Sequence, residues 1–243
     1  MGENKIRSIS LDDGRSFKKA FLRWEWMLVL LLIAVNVMNI AISPNYLNTK
    51  NLASTMKIFL DKGIVAITMT MVLLLGEIDI SVGSMMALSG TIMGLVGNAG
   101  GNFLEVALAG LLTGTLCGLF NGFLITRFTE LSSTIITLAN QIFFRGIALV
   151  ILENRAYAEF PAGVKFMSWG SVFNVPFILV FFLLEVIGIT YLVHFTTFGR
   201  SLFAMGRNIK ASYYSGVKTD QIKIAVFTMN GMAASISSLF LIS

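Results

Sequence analysis

Long apolar runs alternate with short polar segments along most of this chain. A helix that crosses a bilayer needs about 20 apolar residues, within a range of roughly 17–25. The second and third runs are near the short end of this range. The pattern predicts an all-α, polytopic transmembrane helix bundle, with spans near residues 27–43, 60–76, 82–99, 103–125, 132–151, 175–195 and 222–243.

The two ends of the chain indicate its domain organisation. Residues 1–26 are polar and mixed in charge, which predicts a cytoplasmic N-terminal tail without a cleavable signal peptide. Residues 27–243 are predicted to form a single transmembrane domain. Because the last apolar run stops at Ser243 without a polar flank, we expect the natural protein to continue with further transmembrane segments.

Composition and charge agree with a membrane protein. The chain is 56% hydrophobic and 13% charged, whereas a soluble domain carries about 25% charged residues. The net charge of +5 does not indicate nucleic-acid binding, because most of the charges fall between the apolar runs. With the N-terminus inside, most Lys and Arg residues lie in cytoplasmic segments. We therefore expect a multi-pass protein of the bacterial cytoplasmic (inner) membrane.

Two acidic residues interrupt the apolar sequence between the second and third runs, in the motif GEIDIS at residues 76–81. An ionised side chain deep in hydrocarbon costs several kcal/mol, so it normally faces protein, water or a ligand. In an extended break both acids would point the same way, whereas on a helix they would not. Glycine and serine permit such a break. A wet cytoplasmic turn is the alternative to a translocation or hinge motif formed by Gly76, Glu77, Asp79, Ser81, Gly83 and Ser84.

The fourth run carries a glycine at every fourth position. Residues four apart share one helix face, and glycine lets another backbone approach closely. We predict that this stripe serves helix packing inside the domain, with lining of the solute path or a subunit interface as the alternatives. Its members are Gly110, Gly114, Gly118 and Gly122.

Two charges lie inside the fifth and sixth runs, Arg145 and Glu185. An unpaired charge would be costly at these positions. The sequence therefore predicts an intramembrane ion pair between them, unless Arg145 extends outward to the membrane surface.

Four stretches resemble, in the same order, the permease subunits of bacterial sugar ABC importers of the ribose, xylose, galactose, rhamnose and autoinducer-2 type. Residues 75–84, LGEIDISVGS, resemble the GGIDLSVGS signature, with Glu77 in place of its second glycine. Residues 118–125 resemble GLxNGxLI, residues 137–146 resemble TLGxxxxxRG with alanine at 139, and residues 197–208 resemble TxxGRxLxAIGxN.

This resemblance implies a non-catalytic transport subunit without a cofactor, which moves a sugar or sugar-like solute into the cytoplasm. It implies an ABC ATPase subunit, a second identical or paralogous permease subunit, and an extracytoplasmic solute-binding protein as partners in the lipid bilayer. The basic segment 196–221 would be the cytoplasmic coupling loop. Residues 210–216 resemble the EAA-x3-G coupling pattern, with Lys210 and Ser212 as departures. The implied ATPase-coupling residues are Gly199, Arg200, Arg207, Asn208, Lys210, Ala211 and Gly216.

Two other classes of function fit the residues. An ion-coupled secondary transporter would use Glu77 and Asp79 as proton or sodium sites in broken helices. A non-transporting membrane scaffold would bind partners and move no solute. The sequence has no GK[ST] phosphate loop and no His/Cys cluster, so it predicts neither a catalytic nor a metal site. Energy for transport must therefore come from a partner or from an ion gradient.

Overall fold

The computed structural model describes residues 24–43, 45–153, 155, 160–172 and 175–242. Most of the predicted N-terminal tail, residues 1–23, lies outside the described residues. The elements, in chain order, are α1 (Trp24–Ile42), α2 (Thr49–Leu74), α3 (Val82–Asn98), α4 (Phe103–Arg127), α5 (Ser133–Leu152), α6 (Ala162–Trp169), β1 (Ser171–Val172), β2 (Val175–Pro176), α7 (Phe177–Phe195), α8 (Thr197–Arg207), α9 (Ile209–Tyr214) and α10 (Thr219–Leu241).

The predicted all-α bundle is confirmed, since each apolar run corresponds to a helix. Among the described residues, α4, α5, α7 and α10 are long and apolar enough to cross a membrane, and α3 and residues 26–42 of α1 are shorter apolar helices. The helix α2 begins well before the apolar run at residue 60, and it carries Lys57, Asp61 and Lys62 near its middle. The short helix α6 and strand β1 of the β1–β2 hairpin follow α5 in a region where the sequence analysis predicts no elements, and β2 takes the first two residues of the run predicted at 175–195.

The described chain divides into two compact units, one ending at Leu52 and the other beginning at Ala53. In the first unit, α1 exposes an apolar surface that includes Leu31 and Leu32. The turn after α1 is held by the Tyr46 hydroxyl, which donates a hydrogen bond of 2.8 Å to Asn36 Oδ1.

In the second unit, α10 is the central helix and packs against both α3 and α4. Its contact with α4 depends on the glycine stripe. A Cβ at Gly114 would overlap the backbone oxygen of Gly231, and a Cβ at Gly118 would overlap that of Phe227. Gly122 approaches the backbone of α10 in the same way, whereas Gly110 faces Met93 of α3. Since only glycine permits such close approach, the stripe holds α4 directly on α10.

Candidate functional site

The GEIDIS motif lies in a non-helical break, because α2 ends at Leu74 and α3 begins at Val82. Gly76 has a φ of +75°, a left-handed conformation that glycine adopts without strain. The chain turns at this residue, and the backbone N–H of Glu77 donates to the Val72 carbonyl at 3.2 Å. Glycine thus ends α2 and sets the direction of the following segment.

Side chains alternate between inside and outside along this break. Asp79 and Ser81 are 4% and 0% exposed, whereas Ile78 and Ile80 are 49% and 39% exposed. In extended chain, successive side chains point to opposite sides. The alternation therefore turns the polar residues inward and leaves the isoleucines outside.

The Asp79 carboxylate is held by three hydrogen-bond donors. Its Oδ1 accepts from the backbone N–H of Ser81 at 2.9 Å and from the Ser81 hydroxyl at 2.6 Å. Its Oδ2 accepts a bond of 3.0 Å from Asn230 Nδ2 on α10. A buried carboxylate is stable only when its oxygens are satisfied in this way.

Further amide and hydroxyl groups extend this network through the bundle. Asn140 on α5 donates to Asn121 on α4 at 2.6 Å, and Asn121 donates in turn to the Ser81 hydroxyl at 2.7 Å. On the other side, the Thr68 hydroxyl of α2 donates to Asn230 Oδ1 at 3.1 Å. The network thus joins four helices to the break. In both chains of hydrogen bonds, each group donates to the next, and the last donates to Asp79.

The helix α5 satisfies the backbone of the break. The N–H of Ile78 donates to the Ser133 hydroxyl at 3.2 Å, and the N–H of Ile80 donates to the Thr137 hydroxyl at 3.2 Å. Backbone N–H groups that leave a helix need other partners where they are away from water. Ser133 and Thr137 therefore act as substitutes for the missing helical hydrogen bonds.

Glu77 pairs with Lys223, which lies in the first part of α10. Both side chains are largely buried, with 18% of Glu77 and 15% of Lys223 exposed. Lys223 and Asn230 are seven residues apart, which places them two turns apart on one face of α10. Both acids of the motif thus bind the same face of α10, as an extended break allows.

These contacts bear on the possible ion-site chemistry of the motif. Protein donors bind both oxygens of Asp79, and the ammonium group of Lys223 pairs with Glu77. Within the described ranges, no cluster of three or more His, Cys, Asp or Glu side chains comes together. Protein groups thus engage both acids of the motif.

The predicted ion pair between Arg145 and Glu185 does not form among the described residues. Arg145 is exposed on α5, and one carboxylate oxygen of Glu185 on α7 is buried without a hydrogen-bond partner. The two residues lie on helices that pack against other neighbours. Sequence alone identified both charges but not the faces that they occupy.

The segment 196–221 contains two short helices, α8 and α9, rather than an irregular loop. Buried Leu202 and Met205 anchor α8 in a cluster with Leu75 and Phe227. A Cβ at Gly206 would overlap the carbonyl oxygen of Leu74, so α8 lies directly on the last turn of α2. This contact places α8 immediately beside the residues that begin the break.

The helix α9 projects from the bundle as an exposed turn. Asn208 caps it by accepting a hydrogen bond of 3.0 Å from the Ala211 N–H, and Tyr214 is 86% exposed. Gly216, with φ +84°, makes the turn into α10. Among the predicted coupling residues, Gly199 is buried against the Val193 backbone, whereas the others are exposed, namely Arg200, Arg207, Asn208, Lys210, Ala211 and Gly216.

Several residues of the network were not predicted as part of the motif. Asn230, Lys223 and the α5 hydroxyls of Ser133 and Thr137 are distant in sequence from residue 79. The available signal was the presence of asparagine inside an apolar run, because such a side chain seeks a buried partner.

Comparisons with known proteins agree with this architecture. Residues 51–243 match the family described as branched-chain amino acid transport system / permease component. An autoinducer 2 import system permease protein, LsrC of Yersinia pseudotuberculosis (strain YPIII), is 33% identical over 176 residues, which are 72% of this chain and 50% of the relative. The protein of the same description from Yersinia pestis (strain Pestoides F) is 32% identical over 176 residues, with the same coverage of each chain.

The chain spans about half the length of the curated relatives that it matches. No solved structure matches it significantly.

Proposed function

Since the chain belongs to the branched-chain amino acid transport system / permease component family, we propose that it is a permease subunit of an ABC importer for a sugar or sugar-like solute. The family and the four membrane-length apolar helices among the described residues make it a multi-pass protein of the inner membrane. Its N-terminus would be cytoplasmic. Its partners would be an ABC ATPase, a second permease subunit and an extracytoplasmic solute-binding protein.

The observation that carries this proposal is the position of α8 and α9. The exposed α9 offers a projecting surface to an ATPase, and the adjoining α8 contacts the end of α2 through Gly206 and Leu74. An ATPase bound at α9 would therefore act on a rigid helical unit rather than on a loose loop. The contact gives nucleotide-driven closure a direct route into the bundle.

The second route runs through Gly216 into α10. Movement of α9 would shift the start of α10, where Lys223 holds Glu77. Asn230 holds Asp79 on the same helix face. We expect the break to follow α10 during the change from outward-facing to inward-facing access, which assigns the motif a hinge role.

The sugar class is supported by the relatives, which are described as import permeases for autoinducer 2. The ion-coupled alternative is not favoured, because Glu77 and Asp79 are both occupied by protein partners. The presence of α9, which an ion-driven carrier would not need, argues in the same direction.

Uptake measurements test the proposal. The chain is expressed with the ATPase and the solute-binding protein encoded by neighbouring genes, and uptake of labelled L-rhamnose, D-ribose and D-xylose is followed in vesicles. We expect uptake that requires ATP and stops with a catalytically inactive ATPase. Uptake that persists with this ATPase and collapses with a protonophore would establish secondary transport instead.

Cross-linking tests the docking surface separately. The chain has a single cysteine, Cys117, so Cys117→Ala gives a cysteine-free background. A cysteine at Tyr214 should cross-link to the ATPase, whereas one at Val172, in the hairpin after α6, should not. Cross-linking at Val172 and not at Tyr214 would place the ATPase on the side of the membrane that carries the hairpin. A topology reporter fused after residue 210 should show a cytoplasmic location.

A further inference from the structure

Two adjoining cavities open beside α3, and each is large enough for a small solute. Their volumes are about 510 and 570 Å³, within the range of roughly 300–1,000 Å³ that is typical of ligand sites. Gly83 and Arg145 line both cavities. The two spaces therefore meet at the gap between the start of α3 and the middle of α5.

Small residues form most of the α3 wall of the first cavity. Gly83, Ala87, Gly90 and Gly94 line it at intervals of three or four residues, and such intervals lie on one helix face. Thr91 adds a hydroxyl to this wall. Met86 adds the one large side chain that α3 contributes to this lining.

Arg145 is the only charged residue among the described residues that line either cavity. It has neither a hydrogen bond nor an ion pair within the described part of the chain. One turn earlier on α5, Gln141 lines the second cavity, and its buried Oε1 also lacks a hydrogen-bond partner. The buried Gln141 oxygen is costly to leave without a partner, and Arg145, although exposed on this chain, carries a charge within an apolar helix.

We propose that Arg145 is a solute-contacting residue of the translocation path, and that Gln141 assists it. The guanidinium offers five N–H donors in a planar fork and no acceptor. It therefore selects an oxygen-rich solute, such as a neutral polyhydroxyl compound. A cationic solute is disfavoured because the lining has no carboxylate. This inference rests on the proposed importer function and assigns it a site.

The cavities adjoin the break, so a movement of the break can change the shape of the site. Gly83 and Ser84 lie in the first turn of α3, directly after the motif, and Ser84 lines the second cavity beside Arg145. A shift of the break would move this turn relative to α5. The distance between α3 and Arg145 would then differ between the outward-facing and inward-facing states.

Cysteine labelling tests whether Arg145 faces water in the assembled importer. In the Cys117→Ala background, Arg145→Cys should react with a water-soluble methanethiosulfonate reagent, and the transported sugar should slow this reaction. Phe143→Cys is the matched control, because Phe143 lies two residues away, about 200° around the helix, and lines neither cavity. We expect Phe143→Cys to react slowly and to be unaffected by sugar.

Uptake kinetics test the contact itself. Arg145→Gln should raise the KM for the transported sugar by about 10- to 100-fold, the usual loss for a hydrogen bond from a charged group, and Arg145→Lys should restore part of it. The amount of assembled complex, measured for each variant, separates this effect from misfolding. An unchanged KM in Arg145→Gln, or an unreactive Arg145→Cys covered by other helices of the importer, would overturn the inference.

The two proposals can fail separately. If the unmodified importer takes up none of the sugars with ATP, the proposed function is wrong, and labelling of Arg145→Cys still decides whether the cavity is water-filled. If the unmodified importer transports normally and the variants at Arg145 behave like it, only the site assignment is wrong.

Discussion

Asn230 donates a hydrogen bond of 3.0 Å to Asp79 and so joins the middle of α10 to the break between α2 and α3. Two turns earlier, Lys223 pairs with Glu77. The motif is thus attached to α10 at two points on one helix face. Each attachment can be removed independently.

Asp79→Asn should destabilise the protein. The substitution replaces an acceptor oxygen by a donor, so that Ser81 or Asn230 loses its partner in a buried site. We expect a loss of about 1–3 kcal/mol, measured as thermal unfolding in detergent. Asp220 is an exposed acid on α10, the helix that carries Asn230. Asp220→Asn is therefore the control and should change the stability little. Equal melting of both variants would show that the network is not stabilising.

Reversal of the Glu77–Lys223 charges should show coupling. Glu77→Lys and Lys223→Glu each leave two like charges in a largely buried place, and each should lower stability and uptake. The double variant restores the pair and should recover on the order of 1–3 kcal/mol, between the values for exposed and buried pairs. Additive effects of the two substitutions in this cycle would contradict a direct interaction.

Gly206→Ala should impair coupling between ATP hydrolysis and uptake. The added methyl group would overlap the Leu74 carbonyl and push α8 away from α2. A steric cost near 1.4 kcal/mol would lower the population of α8 docked on α2 about tenfold, and we expect less sugar to be transported per ATP hydrolysed. Gly188→Ala is the matched control, because a Cβ there has no atom within 4 Å. Identical coupling ratios would rule out a role for the α8–α2 contact.

Gly118→Ala should weaken the packing of α4 on α10. Its Cβ would overlap the Phe227 carbonyl oxygen, and we expect a destabilisation of about 1–3 kcal/mol from this overpacking, read as a lower melting temperature. Gly146→Ala on α5 has free space around its Cβ and should be neutral. A neutral Gly118→Ala would mean that the two helices separate easily.

The positions of the helices could be predicted from the sequence because hydrocarbon demands long apolar runs and satisfied backbone groups. The GEIDIS break was predictable for the same reason, since glycine and two acids do not fit the interior of a spanning helix. Gly110 and Glu185 show where such reasoning stops. A local pattern marked both residues, but it did not identify Met93 as the neighbour of Gly110, nor the absence of a bond to one oxygen of Glu185.

The partners of Asp79 could not be predicted because they depend on which faces of distant helices meet. Asn230 lies in an apolar run that is equally compatible with several rotations about its axis. The rotation is fixed by the contact between Gly114 and Gly231, a property of two helices together. Helix propensity and hydropathy describe one helix at a time, so they cannot predict such a contact.

The sequence separation between Asp79 and Asn230 has a consequence for biogenesis. The two residues are 151 positions apart, so at about 5–20 residues per second the ribosome needs roughly 8–30 s to reach Asn230 after Asp79. Throughout this time Asp79 has only its hydrogen bonds from Ser81. We therefore expect α2 and α3 to remain next to the translocon or in contact with water until Asn230 is made, and to take their final place in the lipid only once α10 is complete.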